Sequence, residues 1–415
     1  MQFSYRRNGG TISLNLGFIW EMPVDLPYKQ SARLRKMLCW VDLPRPLTRT
    51  KQPTRKSIKP PVPVFRLSVL VALSWLALAS LTARGQEPCA APAPVCAAQD
   101  SVFAISTPFD PLASATLIAP ELLVTNRHVV ADETRVEVTT ADGGRLVGAV
   151  VASAFAGDLV LVRVPGLEGE PLARGEAGEG LLYAIGVDDA SGRVRVFAPG
   201  HRLAAPAEGK PLARLHHTAR SQPGNSGGAL VNENGWLVGI VAAGGEGRND
   251  AIPASRLADL EAASGPGREA ESAVLGRAYR DCIESLEAVA LDALADVCRA
   301  TGNRQLIDLA GQRLGRAERY DASARLFRAA LEIDPNSVNS MVGLVVTLHR
   351  AERWNDEAAV LRDLIERLPA DFQFLRMSVQ AGKFAGDAAL VDRALALIGQ
   401  HHADALDAAN EFLAQ

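Results

Sequence analysis

Gln222-Pro-Gly-Asn-Ser-Gly-Gly-Ala-Leu230, in the middle of this 415-residue chain, places a serine within a glycine-rich turn. A serine hydroxyl is a poor nucleophile unless a base takes its proton, and the oxyanion formed on attack needs two N–H donors. The glycines leave room for both. A tight turn at Gly224 lets its N–H and that of Ser226 converge on one oxygen, while Gly227 and Gly228 clear the approach of a substrate. The same residues also satisfy Gly-x-Ser-x-Gly, the pattern of a nucleophile on a sharp strand-to-helix turn. That alternative requires a helix after the serine, with acid and histidine downstream. Here the strand-like Ala229-Leu-Val231, a turn at Asn232-Glu-Asn-Gly235 and a second apolar run, Trp236-Leu-Val-Gly-Ile-Val241, follow. The histidines beyond Ser226 are His349, His401 and His402, all in helical sequence. The local reading is therefore a hairpin, with base and acid expected upstream.

Upstream, Leu123-Val-Thr-Asn-Arg-His-Val-Val130 carries an apolar strand into a short turn bearing His128. An imidazole titrating near neutrality is the base that an unactivated serine requires. In Gly157-Asp-Leu-Val-Leu-Val-Arg-Val164, Asp158 opens another apolar strand. A carboxylate there can hold the imidazole in one tautomer and stabilise its cation. From about 101 to 256, runs such as Ala115-Thr-Leu-Ile118, Arg135-Val-Glu-Val-Thr139 and Arg193-Val-Arg-Val-Phe197 are short and punctuated by Gly, Pro, Asn and Asp. Such spacing predicts barrels or a sandwich.

Together, Thr125-Asn-Arg-His-Val-Val130, Asp158-Leu-Val-Leu-Val-Arg163 and Pro223-Gly-Asn-Ser-Gly-Gly228, in that order, resemble the motifs of the trypsin-like serine peptidases, those of the bacterial HtrA (Deg) type above all. Gly239-Ile240 followed by Asp250-Ala-Ile-Pro253 is similar to that family's closing strands. The resemblance covers residues 101 to 260 and implies an all-β domain of two orthogonal barrels. It implies His128 as base, Asp158 as orienting acid, Ser226 as nucleophile, and the N–H groups of Gly224 and Ser226 as oxyanion hole. The implied reaction is hydrolysis of protein or peptide substrates through an acyl-enzyme, with no metal or organic cofactor, and no Cys/His metal spacing occurs in the sequence. Two departures stand out: nothing resembling a PDZ domain follows, and no Ile-Val-Gly-Gly activation sequence occurs. Substrate-pocket walls are expected from Thr218-Ala-Arg-Ser221 and Ile240-Val-Ala-Ala-Gly244. Val241, Ala242 and Ala243 suggest a small apolar P1 side chain, whereas Arg220 facing the pocket would favour an acidic one.

After residue 266 the sequence is rich in Ala, Leu, Arg and Glu, and apolar residues recur three and four apart, which predicts helices. Arg316-Ala-Glu-Arg-Tyr320 returns as Arg350-Ala-Glu-Arg-Trp354, and Pro335 as Pro369, both offset by 34 residues. That is the period of a helix-turn-helix repeat. Gly311, Phe327, Ala330 and Pro335 fall where tetratricopeptide repeats, which this region resembles, place small residues, an aromatic and a closing proline. The unit from 372 to 402 reads as degenerate. We expect a helical pair over 268–303 and an all-α array of tetratricopeptide-like repeats over 304–415. Its amphipathic groove would recruit substrate or a protein partner, or drive self-association.

Residues 1–60 hold twelve Lys/Arg against three Asp/Glu, a charge of +9, so with a net charge of -3 the remaining 355 residues sum to -12. A net acidic body excludes a general nucleic-acid footprint. The basic leader, 1–66, runs into the uncharged Leu67-Ser-Val-Leu-Val-Ala-Leu-Ser-Trp-Leu-Ala-Leu-Ala-Ser-Leu-Thr-Ala83, expected to be a cleaved signal peptide or a membrane anchor. Either way the body is exported, to the periplasm or outside the cell. Residues 84–100 read as an extended Ala/Pro tether and 101–262 as the peptidase domain. Cys89 and Cys96 flank the Ala/Pro stretch, and Cys282 and Cys298 share one helical stretch, two pairs that invite two disulfides. The competing expectation is a catalytically silent peptidase fold whose repeats make the chain an exported scaffold.

Overall fold

The computed structural model describes residues 2–7, 10–15, 89–244 and 247–415. The apolar run 67–83 and most of the leader lie outside them. The described residues from Ala90 to Gln415 fall in one compact unit. Strands β1 (Gln2–Arg7) and β2 (Gly10–Asn15) pair with each other.

Six strands form a closed barrel: β3 (Val102–Ser106), β4 (Ala113–Ala119), β5 (Leu122–Thr125), β6 (Arg135–Thr139), β7 (Arg145–Val150) and β8 (Val160–Arg163), in spatial order β3-β4-β5-β8-β7-β6. Pairing of β3 with β6 closes it. Its interior is filled by Phe103, Ile105, Leu117, Leu123, Val138 and Val162, branched and aromatic residues suited to a pleated, buried surface. The second sheet comprises β9 (Leu182–Val187), β10 (Val194–Val196), β11 (Arg202–Ala204), β12 (Leu215–His217), β13 (Ala229–Asn232), β14 (Leu237–Ala243) and β15 (Asn249–Pro253). Its order is β10-β9-β13-β14-β15-β12-β11. This is a half-barrel, because the two edge strands do not pair with each other. Both are three residues long and are flanked by Pro199 and Pro206, which have no N–H to extend a ladder.

The stretch expected as an extended tether is not one over its described part. Ala93–Ala98 form helix α1, followed by a single 3-10 turn at Gln99–Ser101. Pro94 stands in the first turn, where its missing N–H costs nothing, and alanine favours the helix. Val95 and Ala98, three apart, bury against Ala229, Val231 and Leu237 of the half-barrel core. Cys89 and Cys96 are both disulfide-bonded.

Helices α2 (Arg127–Val130) and α3 (Leu257–Ala262) belong to the β-rich part. Helix α4 (Glu269–Glu287) follows and is joined to α5 (Leu294–Arg299) by the Cys282–Cys298 disulfide. Three helix pairs come next: α6 (Arg304–Arg316) with α7 (Tyr320–Ile333), α8 (Val338–Arg350) with α9 (Trp354–Arg367), and α10 (Phe372–Ala385) with α11 (Ala388–His401). First helices start at 304, 338 and 372 and second helices at 320, 354 and 388, each 34 apart. Asn303, Ser337 and Asp371, also 34 apart, cap the first helices by accepting from N–H groups of the following turn. The third pair, degenerate by residue type, is thus regular in structure, since a cap and an apolar stripe suffice to make it. Phe327 fills the space beside Gly311 and Gly343, where a Cβ would approach its ring to 3.0 and 2.2 Å. Helix α12 (Leu406–Ala414) ends the array. Among the described residues no helix is long and apolar enough to cross a membrane.

Candidate active site

Antiparallel pairing explains why residues distant in sequence meet here. In the ladder between β5 and β8, Thr125 lies opposite Val160, so the chain leaving β5 and the chain approaching β8 share one end of the barrel. His128 lies three residues past β5, on the one-turn helix α2, and Asp158 two residues before β8. His128 Nδ1 is 2.7 Å from Asp158 Oδ2, and the His128 backbone N–H donates to Oδ1 at 2.9 Å. An ionised carboxylate only accepts, so Nδ1 carries the hydrogen and Nε2 is left as the basic nitrogen. Asn126 Nδ2 donates to the Asp158 carbonyl at 2.9 Å and ties the two loops together. His128 and Asp158 are both buried.

Burial pushes the Asp158 carboxyl up, but the charge and hydrogen bonds of His128 and the charge of Arg214 outweigh it and hold the carboxyl below the ordinary carboxylate range. The acid is therefore ionised at neutral pH, as a partner of an imidazolium must be.

Ser226 belongs to the other sheet, three residues before β13, and is half-buried. Its loop is bolted to the closed barrel. Ser114 of β4 donates its N–H to the Ser226 carbonyl at 2.9 Å and its hydroxyl to the Gly224 carbonyl at 2.6 Å. Thr116 Oγ1 donates to the Gly227 carbonyl at 2.9 Å. Thr125, at the end of the strand that leads to His128, donates to the Ser114 carbonyl at 2.8 Å. The serine loop is thus docked on the strand end that carries the imidazole. Asn225 braces the turn by donating to the Val187 carbonyl at 2.8 Å and accepting from Gln222 N–H at 2.9 Å.

The turn needs its glycines. Gly224 and Gly227 have φ of 90° and 83°, the left-handed side that L side chains avoid, and a Cβ on Gly227 would lie 2.0 Å from the Ser114 carbonyl oxygen. Among the described residues, the N–H groups of Gly224 and Ser226 donate to no protein acceptor, whereas those of Asn225, Gly227 and Gly228 are all used. Two donors at a nucleophile's turn are the requirement for holding an oxyanion.

The residues expected to form a substrate pocket are placed differently from one another. Arg220 is exposed, its backbone N–H donating to Ala198. Val241 and Ala242 are buried in the cores of the half-barrel, and the Val241 backbone pairs with Gly227 and Gly228. Ala243 lies in β14 beside them. A Cβ on the next residue, Gly244, would meet Asn249 Oδ1 at 2.4 Å and Ser221 Cβ at 2.8 Å.

Several residues have roles in the site that only the folded contacts show. Ser114 and Asn225 shape the serine loop through bonds to distant strands. Arg127 and Arg214 are buried cations behind Asp158, and Arg214 Nη2 lies 3.8 Å from Asp158 Oδ2. Burial pushes the Arg127 guanidinium down, opposed in part by Asp158. Tyr279 of α4 is fully buried, and burial followed by the Asp158 charge pushes its phenol well up. His216 and His217 are not at the nucleophile. His216 bonds Asp334 at 2.9 Å, and burial pushes His217 down to about 4.

Residues 113–240 match the family model of the trypsin-like peptidase domain, a span that holds His128, Asp158 and Ser226. None of the curated proteins matches the chain. Among solved structures, the inactive form of the Rv3671c protease of M. tuberculosis is similar at 25% identity and a TM-score of 0.36, over 42% of this chain and 98% of that one. The HtrA-type protease AlgW with a tripeptide is similar at 26% identity and a TM-score of 0.37, over 41% and 61%. A serine endoprotease from Yersinia pestis is similar at 24% identity and a TM-score of 0.35, over 41% and 64%. This chain thus spans less than two thirds of the last two. Its β-rich part carries the match to a trypsin-like peptidase domain.

Proposed function

We propose that this chain is an exported serine endopeptidase of the HtrA type, whose helical array recruits protein substrates or a protein partner. The catalytic part rests on the His128–Asp158 pair at 2.7 Å beside a turn whose Gly224 and Ser226 N–H groups are unspent among the described residues. Ser226 Oγ attacks the scissile carbonyl and His128 Nε2 takes its proton. Asp158 stabilises the imidazolium, and the two N–H groups hold the oxyanion. The imidazolium then protonates the leaving amine, and a water deprotonated by the same base hydrolyses the ester.

Export is supported by the disulfide between Cys282 and Cys298 and by the disulfide-bonded state of Cys89 and Cys96, since such bonds persist in oxidising compartments. The run 67–83 would be the signal peptide or anchor that delivers the body to the periplasm or beyond the cell. The tetratricopeptide-like reading is supported by helices and caps recurring every 34 residues, and stacked repeats of this kind present an extended binding surface.

The test is fluorophosphonate labelling of the wild-type chain beside Ser226→Ala, with casein cleavage followed in parallel. We expect labelling and casein loss in the wild type alone. Absence of both from a folded wild-type sample would leave the silent scaffold as the better reading.

A further inference from the structure

We propose that Arg214 is a positioning residue of the triad, acting on the reaction through Asp158, and that the helical array holds it in place. The inference rests on the serine peptidase reading of the site. Arg214 is 4% exposed, in the segment leading into β12. Its Nη2 stands 3.8 Å from Asp158 Oδ2, the oxygen that also receives the His128 Nδ1 hydrogen. Among the described residues its guanidinium pairs with no other carboxylate, and its Nη1 reaches no protein acceptor. A buried cation is tolerated only when paired, so Arg214 and Asp158 hold each other.

What places Arg214 there comes from 120 residues further on. Asp334, at the end of α7 and fully buried, accepts from the Arg214 backbone N–H at 3.4 Å and from His216 Nε2 at 2.9 Å. Arg304, in the first turn of α6, brings Nε to 3.8 Å from the same Asp334 oxygen, bonds Asp308 at 2.6 Å and pairs with Asp250 of β15. Burial pushes the Arg304 guanidinium down, and the three carboxylates more than offset it. A buried chain of ion pairs and hydrogen bonds therefore runs from the first helix pair, through the Arg214 backbone, to the back of the catalytic acid. Arg214, Arg304 and Asn303 line a narrow cleft beside Asp158.

The consequence is electrostatic. A fixed cation beside the carboxylate competes with the imidazolium for the same negative charge and favours the neutral imidazole that can act as base. Asp158 is faced by His128 and Arg127 from α2, by Arg214, and by Tyr279 from α4. Asp110 faces His128 from the loop between β3 and β4.

The test measures the second-order rate of fluorophosphonate inactivation of the full chain from about pH 5 to 9, which reads Ser226 reactivity without a protein substrate. Wild type is compared with Arg214→Met, Arg214→Gln and Arg214→Lys. The two neutral variants should move the acid limb of the profile up by about one pH unit. Arg214→Lys, which keeps the charge, should leave the limb in place. Neutral variants whose profiles superimpose on the wild type would overturn the proposal. So would a set in which only Arg214→Lys folds, because the role would then be structural. A wild type that reacts at no pH would instead sink the peptidase reading, and the proposal with it.

Discussion

Helix α4 crosses the turn that follows His128 at one glycine, and replacing that glycine tests whether the helical region is built into the active site. A Cβ on Gly276 would lie 2.6 Å from the carbonyl oxygen of Ala131 and 2.7 Å from Asp132 Cα, against ordinary contact at 3.4 Å or more. Both atoms are backbone, so no rotamer change relieves the clash, and α4 must move off the turn by roughly 0.8 Å, the shortfall from van der Waals contact. The movement is resisted. Arg280, one helical turn further on, donates to Asp132 at 2.5 Å and Glu133 at 2.9 Å and lies over the Phe109 ring at 4.6 Å. Helix propensity alone would make Gly276→Ala more stable by about 1 kcal/mol. Overpacking against backbone costs about 1–3 kcal/mol, so the expected net runs from near zero to a loss of about 2 kcal/mol. Ala131 is three residues from His128, and misplacing a catalytic group by about 1 Å can cost roughly 100-fold in rate. Thermal unfolding and the fluorophosphonate inactivation rate should both fall in Gly276→Ala, and further in Gly276→Leu. A Gly276→Ala protein as stable and as reactive as the wild type would refute the claim that α4 abuts the imidazole's turn.

Asp158→Asn should lower kcat by roughly 10³–10⁴-fold in peptide hydrolysis, since an amide neither fixes the tautomer nor stabilises the imidazolium. Because the folded state depresses the Asp158 carboxyl, its contribution to stability is present above about pH 4 and lost as pH falls through the depressed value. Acid unfolding followed by circular dichroism should therefore be less steep in Asp158→Asn. Replacing Cys282 and Cys298 together by alanine removes a cross-link between residues 16 apart and should cost about 3 kcal/mol in denaturant unfolding. Phe327→Ala should cost about 3–5 kcal/mol in the same assay, because the ring is 1% exposed and wedged between two glycines.

Strands with one wet face were legible from their alternation. Arg135–Thr139 is one, its burial alternating along the chain. Leu182–Val187 is buried at every position, so no period of two marks it, and Ala184 and Gly186 weaken its β signature. Proline and alanine dominate helix α1, and that composition predicts a tether. Only the half-barrel surface that receives Val95 and Ala98 makes it a packed element.

His128, Asp158 and Ser226 could be picked out because each sits in a short local motif where residue type, strand end and glycine turn are all written in a few positions. The repeat period was visible for the same reason, as each helix pair is a local unit with its own cap and apolar stripe. What tertiary structure alone decided was the company these residues keep. The ladder of β5 with β8 sets the imidazole on the carboxylate, and the bonds of Ser114 carry the serine loop across from the other sheet. Arg214, Asp334 and Arg304 have no pattern in common along the chain. They are joined because buried charges must find opposite partners, and only the folded packing of α6 and α7 against β12 and β15 brings those partners within reach.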